Sequence, residues 1–298
     1  MAEVTRAAEV LHGVLGGAAG RVLTVVDDTA VDAPPFYVHE APLHDARVAL
    51  RRIRSMLRTF HVLLDPQFST TLRADVAWLD ERLGTARDLQ LVVKILEVNA
   101  PLVCRPHKAA ALIELASCEL EASWQATSVA VADPRFAQLH QHLVRLVGEL
   151  PTSPTGATYA ASDLRRVLRR AKHDVDGAAA RAKKDPSMAN LHTLRIRTKA
   201  LRYGAEAVGL VDGLPAYRCA KAAENLQGRL GAVQDCARAI AWLEHTGANH
   251  PQLLGPTAAL TELEQHGIEV ATTGWRRDVR AIDKRWEEWG RALKRSGR

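Results

Sequence analysis

The chain has 298 residues, 47% hydrophobic and 25% charged, with 40 Lys plus Arg against 34 Asp plus Glu for a formal charge of +6. This composition excludes a disordered chain and supplies a sizeable core, in one large domain or two of ordinary size. The basic excess favours acidic partners, while only 5% aromatic residues argues against the broad stacking platforms that hold single-stranded nucleic acid.

The four cysteines, Cys104, Cys118, Cys219 and Cys236, are too far apart for a zinc knuckle or a redox pair, which fits a reduced cytoplasmic protein. The N-terminus, MAEVTRAAEVLHGVLGG, carries an acid early and lacks a charged-then-apolar secretory pattern. No stretch reaches the ~18 uncharged apolar residues of a membrane span. The expectation is a soluble intracellular chain.

Apolar residues recur at three- and four-residue steps through most of the sequence and alternating patterns are scarce, so the expected fold is all-α. In chain order, the first strong element is a helix entered at Pro42, carrying His44 and running to about Leu64, where Asp65-Pro66 stops it. His44, Arg47, Arg51, Arg54 and Arg58 advance by 3, 4, 3 and 4 residues, so they fall within roughly a quarter of the helix circumference. Leu43, Ala46, Leu50, Ile53, Leu57 and Phe60 occupy the neighbouring arc, an apolar face that sets the cationic stripe on rigid backbone. The stripe rises about 21 Å, far more than one phosphate monoester needs. Arginines spaced in this way repel one another unless a polyanion lies along them, and guanidinium forks bind phosphate oxygens in paired, charge-assisted hydrogen bonds. A protonated histidine adds two further donors.

Leu83-Gly84-x-x-Arg87-Asp88 follows, and then ELPTSPTGATYAASD, where Pro151, Pro154 and Gly156 break helical periodicity near mid-chain and read as a linker over 151–163. Beyond it, Leu164–His173 places Arg165, Arg169 and Lys172 on one face and Arg166, Arg170 and His173 on the next; a solvated face explains this run as well as a binding one. Asp185-Pro186 provides a capping side chain and a proline for the start of a helix carrying His192, Arg195, Lys199 and Arg202. On this helix Glu206 stands where the first has its fifth cation. Near the C-terminus Trp275, Val279, Ile282, Trp286 and Trp289 form an apolar stripe flanked by Arg276, Arg277, Arg280, Lys284 and Arg285, a packing helix with basic edges.

The two halves resemble each other. His44, Arg47, Arg51 and Arg54 each have a counterpart 148 positions later, and Leu83-Gly84-x-x-Arg87-Asp88 matches Leu230-Gly231-x-x-Gln234-Asp235 at an offset of 147. Two ordered matches at nearly one offset indicate duplication. The expected architecture is two pseudo-symmetric helical bundles, 1–150 and 164–298, with a basic surface or central channel. Gly84 and Gly231 would allow close helix approach, and Asp88 and Asp235 would pin a basic side chain.

Enzyme motifs fail. His39-Glu40-Ala-Pro42-Leu-His44 has its second histidine one residue late for a zinc-protease pair, with Pro42 interposed. Gly16-Gly17-Ala-Ala-Gly20-Arg21 lacks the Lys-Ser/Thr ending of a phosphate loop, there is no nucleophile elbow, and no acidic cluster resembles a two-metal site. No catalytic residue, metal or cofactor is called for.

The His44-x-x-Arg47-Val-x-x-Arg51-Arg52-x-Arg54 and Leu83-Gly84-x-x-Arg87-Asp88 motifs, their second-half copies, and Asp185-Pro186 leading to Arg202-Tyr203-x-x-Glu206 resemble the CHAD family, the conserved histidine α-helical domain. The resemblance spans nearly the whole chain, 1–298. It implies a non-catalytic module that binds inorganic polyphosphate and is often placed at cytoplasmic polyphosphate granules, where granule-associated proteins would be further partners. By position it makes His44, Arg47, Arg51, Arg52, Arg54, Arg58, His192, Arg195, Lys199 and Arg202 ligand contacts, with Arg165 and Arg169 as additions. The Tyr37-Val-His39-Glu-Ala-Pro42 lead-in and Gln234 depart from the family's pattern. A nucleic-acid-binding helical protein and a polyphosphate-processing enzyme are the alternatives; no membrane partner is expected.

Overall fold

The computed structural model describes residues 6–28 and 40–295, and its regular elements are all helices. They are α1 (Ala7–Asp28), α2 (Glu40–Thr59), α3 (Pro66–Arg82), α4 (Gly84–Val103), α5 (Pro106–Val131), α6 (Pro134–Gly148) and the short α7 (Pro154–Thr158). Then come α8 (Leu164–Lys184), α9 (Met188–Asp212), α10 (Leu214–Asn249), α11 (Leu254–Thr273) and α12 (Trp275–Arg295). The chain is all-α, as its periodicity implies. The Tyr37-Val38-His39 lead-in lies outside the described residues, as does the side chain of Leu43.

Sequence sets several of the boundaries. α2 begins just ahead of Pro42 and ends at Thr59, where a 3-10 turn over His61–Leu63 takes the chain to Asp65. The Asp65 carboxylate accepts the Phe68 N–H at 2.7 Å, capping α3, whose first residue is Pro66. Asp133 and Pro134 open α6 in the same way, with the Arg135 N–H donated to Asp133 at 2.8 Å. The expected start of α9 moves by two residues: Ser187 is the cap and Met188 the first helical residue. Asp185 instead gathers the Ser187 hydroxyl at 2.8 Å and the Asn190 amide at 2.7 Å. Gly213, with φ of 72°, ends α9 in the left-handed region that glycine adopts without strain.

The chain divides into two compact units. One comprises Met1–Asp80, Ala130–Gln227 and Arg276–Arg298, the other Glu81–Val129 and Gly228–Trp275. Each unit draws on both halves of the sequence, so this division does not follow the bundles 1–150 and 164–298. The reason is packing across the repeat: α2 buries its apolar face against α8 and α9, and α1 packs on α2, α6 and α9. Ala46, Leu50, Ile53 and Leu57 are completely buried on α2, joined by Met56 and by Phe60 just past its last residue. Each large apolar side chain so buried contributes about 1.5–3 kcal/mol.

The stretch read as a linker, 151–163, is built into the first unit and is no boundary. Asp65 donates its N–H to Pro151 O at 3.0 Å, and Ser153 donates its hydroxyl to Val62 O at 3.0 Å. A Cβ on Gly156 would sit 1.8 Å from Leu63 O, so only glycine fits there. Its prolines and glycine thus serve a close backbone approach, which interrupts helical periodicity as a flexible linker would.

Among the described residues α1 is the one helix long and apolar enough to cross a membrane, over Ala7–Val26, with Glu9 and Arg21 interrupting the apolar run. Ala7, Leu11, Leu15, Ala18, Ala19 and Val22 are buried as the helix packs on α2 and α6.

The second unit has its own core of Val92, Leu96, Ala100, Leu112, Leu243 and Leu260. Asp88 and Asp235 both pair with Arg238, at 3.1 and 3.2 Å, the pinning role expected of the repeated aspartates. The glycine expectation fails at Gly84, where a Cβ would meet nothing within 4 Å.

Candidate functional site

α2 and α9, the helices that carry the repeated basic motifs, pack on each other in the first unit. Their cations fall into two environments.

In the first, carboxylates already hold the charge. Arg47 is only 6% exposed and is tied to α3, donating to Asp80 O at 3.3 Å and lying 3.4 Å from the Asp80 carboxylate. Arg52 of α2 pairs with Glu206 of α9 at 2.9 Å. The other Glu206 oxygen accepts from Arg202 at 2.8 Å, and Arg202 also reaches Glu224 at 2.8 Å. Both guanidiniums lie over the ring of buried Tyr203, at 5.6 and 5.4 Å from its centroid, which adds a cation–π attraction to the ion pairs. Arg165 is likewise bound to Asp212, at 2.7 Å, whose side chain has no exposed surface. Four of the cations read from the sequence as ligand contacts therefore carry structural pairs within the protein.

In the second environment positive charge accumulates. Arg51 and Arg58 lie on one face of α2, seven residues or about 10 Å apart. Neither has a carboxylate partner among the described residues, and Arg54 between them reaches the Asp80 carboxylate only at 3.8 Å. Partial desolvation and the guanidiniums of Arg54, Arg73 and Arg197 pull the Arg58 pKa below its ordinary value, which gathers arginines from α2, α3 and α9 around Arg58. Arg197 pairs with Asp174 at 2.9 Å; Arg73 has no such partner among the described residues.

The sequence motifs mark neither Arg73 nor Arg197 as part of the site. Arg73 belongs to no repeat, and Arg197 lies five residues from Arg202, about 140° round the helix from the recognised stripe. His44 and Arg169 are exposed, whereas His192, Arg195 and Lys199 are half-buried on α9. Among the described residues no three histidine, cysteine or acidic side chains come together as a metal ion would require.

The contacts repeat as the motifs do. Arg202 stands 148 positions after Arg54 and Gln227 stands 147 after Asp80; Arg54 faces Asp80 at 3.8 Å and Arg202 donates to Gln227 at 3.4 Å. Glu206 is the counterpart of Arg58, 148 positions on, and Ala200 the counterpart of Arg52. One repeat thus has an arginine where the other has the carboxylate that neutralises its neighbours.

A family model for the CHAD domain matches residues 36–244. The chain belongs to the CHAD family. PptA from Streptomyces chartreusis superposes with a TM-score of 0.73 at 20% identity, covering 92% of this chain and 99% of that one. The CHAD domain from the plant Ricinus communis gives 0.65 at 22% identity, over 95% and 92%. At such identities these likenesses establish a shared CHAD fold. Rv2226 of Mycobacterium tuberculosis, an uncharacterized protein, is 27% identical over 204 residues, 65% of this chain but 38% of its own length. The chain therefore spans well under half of that relative.

Proposed function

We propose that this chain binds inorganic polyphosphate without catalysing its turnover, and that the contact begins at the arginine cluster of α2, α3 and α9. The observation that carries the reading is the grouping of Arg54, Arg73 and Arg197 around Arg58, with Arg51 on the same face of α2 and few carboxylates to offset them. A helix gains nothing from such crowding by itself, since like charges at these spacings cost a few tenths of a kcal/mol per pair. A linear chain of phosphates offers each fork paired, charge-assisted bonds. Family membership supports the same ligand. His44, His192, Arg195 and Lys199 extend the proposed contact set, while Arg165 and Arg169 leave it. The proposed setting is the cytoplasm, at polyphosphate granules and their associated proteins.

A titration with long-chain polyphosphate and, separately, with single-stranded DNA at physiological salt tests this. Clear preference for polyphosphate, lost in Arg51→Glu with Lys199→Glu at unchanged helicity, is the expected result. Equal or tighter DNA binding would reduce the cluster to a general cationic surface and favour the nucleic-acid reading. Magnesium-dependent release of phosphate would favour a processing enzyme instead.

A further inference from the structure

At the far end of α9 from this cluster lies a cavity of about 280 Å³ between α8 and α12, lined by Arg165, Arg169, Trp286, Trp289, Gly290 and Leu293. Asp212, which anchors it, is fifteen residues beyond Arg197, about 22 Å along the helix. The walls are ordered: Trp289 donates its indole N–H to Asp212 at 3.0 Å, and the same carboxylate holds Arg165 at 2.7 Å. Trp286 meets Trp289 edge to face, with centroids 5.2 Å apart and planes at 82°. Buried Asp212 neutralises Arg165, and Arg169 has no carboxylate partner among the described residues. The cavity therefore presents one uncompensated positive charge beside aromatic walls. A Cβ on Gly290 would meet nothing within 4 Å, so open space continues over that residue.

A bare phosphate chain has no use for indole walls. The geometry points to a second binding site, separate from the arginine cluster, for a small ligand that joins a flat aromatic ring to a single anionic group, of the size of a nucleoside monophosphate. The ring packs against Trp286 and Leu293 over Gly290, and the anion takes the Arg169 fork. The volume matches the lower end of small-molecule pockets, about 300 Å³, enough for one ring system and its head group.

Calorimetric titration of the full chain with adenosine 5′-monophosphate tests this, alongside the indole N–H resonances of Trp286 and Trp289. The expected result is saturable binding that shifts both resonances. Ribose 5-phosphate, which lacks the ring, should bind at least about fivefold more weakly, as the missing stacking requires. Arg169→Gln should weaken the nucleotide about tenfold or more. Gly290→Met fills the cavity at a position where nothing stands in the way and helix propensity improves, so it should keep the fold and abolish binding. Absence of saturation, equal affinity for ribose 5-phosphate, or binding that survives Gly290→Met would each overturn the site. The readout uses the nucleotide alone, so its outcome does not depend on whether polyphosphate binds elsewhere.

Discussion

Arg52 of α2 and Glu206 of α9 form a 2.9 Å ion pair across the two helices that carry the repeated motifs. The pair is three-quarters or more shielded from solvent on both sides, and Glu206 holds Arg202 as well. Glu206→Gln leaves two crowded guanidiniums without their shared carboxylate, so stability should fall by about 1–3 kcal/mol. Polyphosphate affinity should rise in the same variant because Arg52 loses its carboxylate and Arg202 keeps only Glu224. Denaturant unfolding together with a polyphosphate titration checks both; a fall in affinity would make Glu206 a positioning group for the ligand.

The opposite pairing of effects is expected at Arg58, the first-half counterpart of Glu206. Arg58→Gln relieves repulsion from Arg54, Arg73 and Arg197, so the melting temperature should hold or increase while polyphosphate binding weakens. By analogy with single-stranded nucleic acid, the slope of log affinity against log salt should shrink by about 0.7 for each phosphate that the variant no longer neutralises. Unchanged salt dependence would remove Arg58 from the contact set.

Arg47 should behave as part of the fold. At 6% exposure it is held by Asp80, and Arg47→Ala strips buried aliphatic packing as well as an ion pair. A loss of about 2–4 kcal/mol in unfolding free energy is expected, far above that of Arg51→Ala on the edge of the same helix.

Gly156→Ala tests the packing of the mid-chain segment. Its Cβ would collide with Leu63 O, a backbone atom that cannot swing aside. Destabilisation of about 1–3 kcal/mol or more, read as a lowered denaturation midpoint, is expected. A neutral outcome would return the 151–163 stretch to the role of a loose linker.

The thiols should separate by reactivity. All four cysteines are free. Burial pushes Cys219 up to about 12, and burial together with the Glu264 carboxylate does the same at Cys236. The thiolate is the nucleophile, so at pH 8 each carries about one part in ten thousand of the reactive form, and their alkylation should climb only as pH approaches 12. Exposed Cys118 should alkylate first in the native protein, with mass spectrometry of timed samples giving the order.

Much of α2 was legible from spacing alone. Residues at three- and four-residue steps share a side of any helix, so Ala46, Leu50, Ile53, Leu57 and Phe60 declared the buried face and Arg51, Arg54 and Arg58 the edge beside it. The duplication was legible too, because matched motifs survive in the one-dimensional order, and the structure repeats them as contacts at Arg54–Asp80 and Arg202–Gln227. Which charges are spent internally was not legible. Asp80, Glu224 and Asp212 carry no motif, and their effect on Arg47, Arg202 and Arg165 arises only when consecutive helices fold back on each other or meet end to side, beyond the reach of any three- or four-residue spacing.

By itself, then, the sequence determined an all-helical chain, the CHAD resemblance and the helices that bear the cations, since helical periodicity and local charge spacing are properties of neighbours along the chain. Tertiary structure alone decided that the compact units interleave the two halves, that Arg73 and Arg197 join Arg54 and Arg58, and that Arg47, Arg52, Arg165 and Arg202 face carboxylates. Coulomb energy depends on separation in space, and the packing of apolar faces sets those separations at distances along the chain that no local pattern encodes.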